Sequence, residues 1–178
     1  MCVRAAAVSM LIFLAACSSV TPRDYLGEAP ALRPEVFFDG PLRATGVVKN
    51  RAGKVTRRFT ADIDAYWRDG VGTLDEKFLF SDGETDTRVW TLTPRGDGSY
   101  RATAGDVVGD GEAEVAGNAM FLDYVLRVPY GDGSIDLRID DRMYLVTPDR
   151  LLNESVMTKW GFRVGEIMLV IERLATES

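Results

Sequence analysis

Arg58-Phe59-Thr60-Ala61-Asp62-Ile63-Asp64-Ala65-Tyr66-Trp67 decides the fold of this chain. Phe59, Ala61, Ile63, Ala65 and Trp67 are apolar, while Arg58, Thr60, Asp62 and Asp64 between them are polar. A period of two with one wet face is the signature of a strand in an antiparallel sheet. Met120, Leu122, Tyr124, Leu126 and Val128 repeat it, as do Ile135, Leu137 and Ile139. Asp-Gly punctuates these runs six times, at 39–40, 69–70, 82–83, 97–98, 110–111 and 132–133. Asp tolerates positive φ and Gly adopts it freely, as tight primed hairpin turns require.

Ten such runs fall near 42–49, 55–67, 72–80, 86–93, 99–106, 112–118, 119–129, 135–146, 151–158 and 162–173. Short links and the lack of a long helical pattern predict an all-β fold: an antiparallel up-and-down barrel of about eight to ten strands. A β-sandwich is the competing arrangement. Two stretches resist the pattern. Leu151–Gly161 reads equally as strand or short helix, and Ile167–Ile171, apolar throughout, reads as a strand buried on both sides or a closing one.

The N-terminus carries an address. Arg4 precedes an apolar run, Ala5–Ala16, interrupted only by Ser9. Twelve helical residues rise about 18 Å, short of the roughly 30 Å hydrocarbon core, so a secretory signal fits better than a membrane span. Leu14-Ala15-Ala16-Cys17 resembles the bacterial lipobox, in which the cysteine is acylated and becomes the first mature residue. Cys2 would be removed with the signal, leaving Cys17 without a disulfide partner, and acylation accounts for it. The expected organisation is therefore a signal peptide (1–16), a lipidated N-terminus and proline-rich tether (17–34), one barrel domain (35–174) and a short tail (175–178). Ser18 and Ser19 after the cysteine resemble the outer-membrane pattern, which implies a lipid-anchored protein on the periplasmic face of the outer membrane.

From Phe37 onward the chain resembles the domain of unknown function 3833 family of bacterial lipoproteins. The matching stretches include Phe38-Asp39-Gly40-Pro41-Leu42, Arg57-Arg58-Phe59-Thr60, Gly72-Thr73-Leu74-Asp75-Glu76 and Arg88-Val89-Trp90. Gly117-Asn118-Ala119, Asp140-Asp141, Met143-Tyr144-Leu145 and Met157-Thr158-Lys159 continue them. The resemblance implies a lipocalin-like fold and a link to membrane lipid, with no established activity. Lipocalins usually carry Gly-x-Trp in the first strand; Pro41–Val48 has no Trp, so only the architecture is carried over.

Composition narrows the chemistry. The formal charge is −6, and −7 once Arg4 is removed, which argues against a nucleic-acid partner. The chain has no histidine, which removes Ser-His-Asp and Cys-His nucleophilic sites and imidazole metal sites. No catalytic residue, cofactor or metal is expected, and the chain does not read as an enzyme. Asp140 and Asp141 are neighbours on a strand and point to opposite faces, and Asp62 and Asp64 share the wet one. Asp106–Glu112 is acidic and Gly-rich but lacks EF-hand spacing, and reads as a turn.

Two groups of residues remain. Trp90, Arg88, Tyr124, Arg127, Asp140, Arg142, Tyr144, Lys159 and Trp160 combine aromatic surface with charge and are the candidate ligand-binding set, for an apolar or amphipathic lipid or fatty acid. Lys49, Arg51, Lys54, Arg57 and Arg58 cluster around one hairpin and are the candidate surface for lipid headgroups or an envelope protein partner. Two functions follow: a barrel that binds a lipid-like ligand, or a solid barrel that serves as an envelope interaction and assembly protein.

Overall fold

The computed structural model describes residues 19–175. A 3-10 turn over Pro22–Tyr25 and one turn of helix, α1 (Pro34–Phe37), precede ten strands. They are β1 (Gly40–Asn50), β2 (Val55–Arg68), β3 (Val71–Phe80), β4 (Thr85–Pro94), β5 (Ser99–Thr103), β6 (Gly111–Ala116), β7 (Ala119–Tyr130), β8 (Gly133–Thr147), β9 (Arg150–Lys159) and β10 (Phe162–Arg173). Each strand pairs antiparallel with its neighbours in sequence, and β1 pairs with β10 from Leu42↔Arg173 to Asn50↔Gly165. The sheet is a closed up-and-down barrel, which excludes the sandwich. Leu151–Gly161 forms most of β9 and its turn, hydrogen-bonded on both edges, so tertiary pairing settles what periodicity leaves open. Ile167–Ile171 lies in the closing strand; Met168 within it is 47% exposed, so it is not buried on both sides.

The alternation sets the interior. Leu42 and Ala44, then Phe59, Ala61, Ile63 and Ala65, point inward with Leu74, Trp90, Leu92, Met120, Leu122, Ile139, Met143, Leu145 and Leu151. Burying a side chain such as Ile139 or Leu151 contributes about 1.5–3 kcal/mol. Glycines let the largest rings close on the backbone. A Cβ on Gly72 would lie 2.6 Å from the Trp67 ring, and one on Gly46 would lie 2.7 Å from both Phe59 Cζ and Leu169 Cβ.

The two ends of the barrel differ. At one end α1 acts as a plug: Phe37 and Phe38 are buried and their rings meet edge to face at 5.1 Å. Trp67 Nε1 donates to the Phe38 carbonyl at 2.9 Å, and Tyr100 Oη to Glu35 Oε1 at 2.6 Å. Arg173, at the end of β10, donates to the carbonyls of Val36, Phe37 and Asp39, which ties the last strand to the helix before the first. The opposite end is formed by the hairpin turns between β1–β2, β3–β4, β7–β8 and β9–β10 and by the 104–110 loop, with no helix across it among the described residues.

The stretch that composition presents as a tether packs along the wall from residue 19. Pro22, Leu32 and Pro34 are buried, Leu32 N–H donates to Gly117 O at 2.8 Å, and the Tyr25 ring lies 5.9 Å from Phe121 and 5.3 Å from Tyr144. Apolar side chains spaced among the prolines supply contacts that a free linker lacks. Gly117 makes room for it, since a Cβ there would sit 1.7 Å from Tyr25 O. The expected signal peptide and Cys17 lie outside the described residues. Among the described residues no helix is long and apolar enough to cross a membrane.

Four of the six Asp-Gly pairs, at 69–70, 82–83, 97–98 and 132–133, fall in hairpin turns. Asp69 and Trp160 are the non-glycine residues with positive φ among the described residues, at 51° and 50°. Each opens a two-residue turn completed by a glycine, the geometry that favours Asn or Asp before Gly. A tryptophan there is held in a sparsely populated conformation, at a cost of order 1 kcal/mol.

Candidate functional site

A belt of polar side chains crosses the lumen at mid-height. The period of two in β3 turns Glu76 inward between Leu74 and Phe78; in β4 it turns Arg88 inward two residues before Trp90. Glu76 and Arg88 are register partners across β3–β4, and Asp141 and Ser155 are partners across β8–β9. Tyr124 of β7 and Asn153 of β9 complete the belt, and Asp106 folds in from the β5–β6 loop.

Arg88 is held by Asp106: Nε lies 3.0 and 3.1 Å from the carboxylate oxygens and Nη2 2.7 Å from one of them. Burial is the largest single effect and opposes the charged guanidinium, but the Asp106 hydrogen bonds together with the charges of Tyr124, Asp106 and Glu76 outweigh it and keep Arg88 protonated. Glu76 borders the cavity without such a partner. Burial pushes its carboxyl up to about 7, with Arg88 pulling the other way. Burial likewise raises Asp141 to about 6, against hydrogen bonds from Ser155, Asn153 and Tyr124 that favour the carboxylate. Asn153 Nδ2 reaches Asp141 Oδ1 at 3.5 Å. Burial pushes the Tyr124 hydroxyl well up, and the nearby Asp141 charge adds to this. The Tyr124 ring stands edge-on to Trp90 at 5.1 Å.

Beside the belt lies a cavity of about 130 Å³, lined by Ala44, Phe59, Ala61, Ile63, Glu76, Phe78, Trp90, Met120, Tyr124, Asp141 and Ile167 among others. A larger concavity, about 680 Å³, lies on the outside of the wall. It follows the row Tyr144, Leu152, Val170, Thr45, Thr60 and Leu79, which are successive register partners from β8 round to β3. The lumen is the better site despite its size, because the ionisable groups converge there behind a closed wall.

The structure divides the ligand-binding set drawn from the sequence. Arg88, Trp90 and Tyr124 meet in the lumen. Arg127, Asp140, Arg142 and Tyr144 lie on the outer face. Arg127 pairs with Asp136 at 2.8 Å, Arg142 with Asp140 at 3.2 Å, and the Tyr25 hydroxyl donates to Tyr144 Oη at 3.5 Å. Lys159 donates to the Asp136 carbonyl at 2.7 Å, and Trp160 is at the β9–β10 tip, 85% exposed. The reason is parity: Leu137 and Ile139 fix odd positions of β8 as inward, so Asp141 faces the lumen while Asp140, Arg142 and Tyr144 face away. Glu76, Asp106, Asp141, Asn153 and Ser155 are the belt residues that reading misses, Glu76 and Asp141 being the ones with a signal. Their signal is a carboxylate at an inward position of an apolar run.

The basic hairpin divides too. Arg57 is engaged by Asp82 at 2.7 Å and Glu84 at 2.7 Å and lies 3.7 Å over the Phe80 ring. Lys49 leans on the Met168 sulfur, while Arg51, Lys54 and Arg58 are exposed and form no ion pair among the described residues. The carboxylates of the 106–112 stretch diverge, Asp106 to Arg88, Asp110 to Arg101 and Glu112 to Arg95. Among the described residues no group of three His, Cys, Asp or Glu side chains is placed to hold a metal.

A closed ten-strand barrel with a polar belt inside an apolar lumen defines the class. The family described as "Protein of unknown function (DUF3833)" matches residues 11–173, and the chain belongs to that family. No curated protein matches the chain. Among solved structures it is similar to the S-type phycobiliprotein lyase CPES from Guillardia theta, at 14% identity and a TM-score of 0.57, covering 78% of this chain and 89% of that one. Two designed barrels are also similar. The redesigned barrel mFAP1, bound to DFHBI, has a TM-score of 0.44 at 13% identity over 80% of this chain and 100% of that one. A fluorescence-activating β-barrel designed de novo has a TM-score of 0.40 at 13% identity over 80% of this chain and 99% of that one. These likenesses are of fold.

Proposed function

We propose that this protein is a lipid-anchored barrel of the bacterial cell envelope, held by Cys17 on the periplasmic face of the outer membrane, that binds an amphipathic, lipid-like molecule in its lumen. The observation that carries this reading is the polar belt beside the cavity. Three carboxylates, of Glu76, Asp106 and Asp141, surround one guanidinium, and Asp106 already engages it. Burying ionisable groups without a full set of partners is costly, and a ligand that completes the set offsets that cost. The unpaired Glu76 selects a head group that donates hydrogen bonds or carries a positive charge. A cavity of about 130 Å³ is well below a whole-ligand pocket, so it takes the head while the apolar remainder extends toward the unplugged end.

Protein purified from membranes and extracted into organic solvent tests this by mass spectrometry. The wild type is expected to carry one class of amphipathic molecule, and Ala61→Leu, which fills the cavity, about tenfold less. Wild-type protein that carries no such molecule and binds no amphipathic fluorescent probe overturns the reading. It would leave the second one, an assembly protein that works through its surface, which is supported by the apolar packing of the plugged half and by the exposed Arg51, Lys54 and Arg58. Anchoring is tested separately. Cys17→Ala should block acylation and processing; a variant that is still trimmed and membrane-bound overturns the anchor.

A further inference from the structure

Three adjacent hairpin tips at the unplugged end share an unusual surface. Tyr130, where β7 ends, is 73% exposed; Trp160 and Phe162 in the β9–β10 hairpin are 85% and 67% exposed. The β1–β2 turn beside them carries Arg51 and Lys54. The tips are neighbours because β8 pairs with β9 and β10 with β1. Residues 49–55, 130–133 and 159–164 together hold five cations, Lys49, Arg51, Lys54, Lys159 and Arg163, against one carboxylate, Asp132; of the five, Arg163 is paired with Glu166 at 2.7 Å. Across the mouth, the β3–β4 turn and the 104–110 loop hold Asp82, Glu84, Asp106 and Asp110, each tied to an arginine.

We propose that the crescent from Tyr130 through Trp160 and Phe162 to Arg51 and Lys54 docks on a phospholipid bilayer, with the aromatic rings at the level of anionic headgroups and the lumen mouth turned toward the lipid. Aromatic rings with a polar handle favour that layer, and cations beside them are drawn to its negative potential. The backbone adds an independent argument. Trp160 occupies the positive-φ position that Asp69 occupies in the matching turn at the plugged end, so a bulky ring is held there against local preference and pointed into solvent.

The proposal rests on the anchored reading, and one experiment separates the two. Full-length protein, processed and acylated in cells, is reconstituted into phosphatidylethanolamine–phosphatidylglycerol vesicles containing brominated acyl chains. Flotation reads the anchor and tryptophan quenching reads the crescent. Trp160 is one of three tryptophans, and Trp67 and Trp90 lie within the folded body. The floated wild type should lose about a third of its emission, and Trp160→Asn should float equally and show little quenching. Tyr130→Ser with Phe162→Ser, keeping Trp160, should reduce the quenching at least in part. Floated wild type quenched no more than Trp160→Asn overturns the crescent and leaves the anchor standing. A photocrosslinker at position 160 that captures a protein instead of lipid also overturns it. Protein that does not float overturns both.

Discussion

The β2–β3 and β9–β10 hairpins adopt the same two-residue turn at opposite ends of one barrel, and the sequence fills them differently. Asp69-Gly70, near the α1 plug, is what the backbone asks for. Trp160-Gly161, at the unplugged end, is not. Around the first turn, Phe38, Trp67, Tyr100 and Arg173 leave little unsatisfied; around the second, aromatic rings face water. One end is closed by packed rings and the other leaves its rings in solvent, and the lumen between them grades from close apolar packing to a polar belt.

The comparison breaks most sharply at the plug. Phe38→Ala empties a buried ring site and should cost about 3–5 kcal/mol, read as a lower urea midpoint, whereas Phe162→Ala at the other end should change stability by less than about 0.5 kcal/mol. Equal effects would mean that the ends do not differ in this way. The next effect comes from the belt. Because Glu76 titrates near 7 in the folded protein and near 4.5 when unfolded, the folded state holds its proton longer. Its contribution is complete below about pH 4.5 and falls away as the pH rises to about 7, by a few kcal/mol at most. Asp141, raised to about 6, acts in the same direction at lower pH. Glu76→Gln should therefore flatten the loss of stability between about pH 4.5 and pH 7, and an unchanged slope in urea titrations would show that Glu76 does not carry it. The smallest effect is at the turns: Trp160→Asn should be neutral or stabilise by about 0.5–1 kcal/mol, and Asp69→Trp should destabilise by a similar amount.

Most of the barrel is legible in the sequence because a half-buried strand has to alternate. Phe59 to Trp67 and Met120 to Val128 show their inward faces directly, and Asp-Gly at 69–70 or 132–133 marks where strands reverse. The site is less legible, for two reasons. Alternation becomes ambiguous where both faces are mixed. Asp140-Asp141-Arg142-Met143-Tyr144-Leu145 offers bulk and charge on each side, and only the parity carried forward from Ile139 shows that Asp141 is the inward carboxylate. Convergence is also non-local. Nothing near Asp106 in the sequence points to Arg88, which meets it because the loop after the short β5 turns back over the mouth. The N-terminal stretch hides for a related reason: its contacts with Phe121, Tyr144 and Gly117 lie about a hundred residues away and leave no period.

Closing β1 on β10 has a consequence for how the chain reaches this shape. Ala44 waits for Ile171, and α1 for the guanidinium of Arg173, so a chain delivered N-terminus first keeps one raw strand edge until its last strand arrives. Any pause or truncation before that point leaves an open sheet able to recruit a second copy instead of itself. Maturation is therefore all-or-nothing along the length of the polypeptide, and a chaperone that shields a single early edge would matter more to this barrel than one that assists each hairpin in turn.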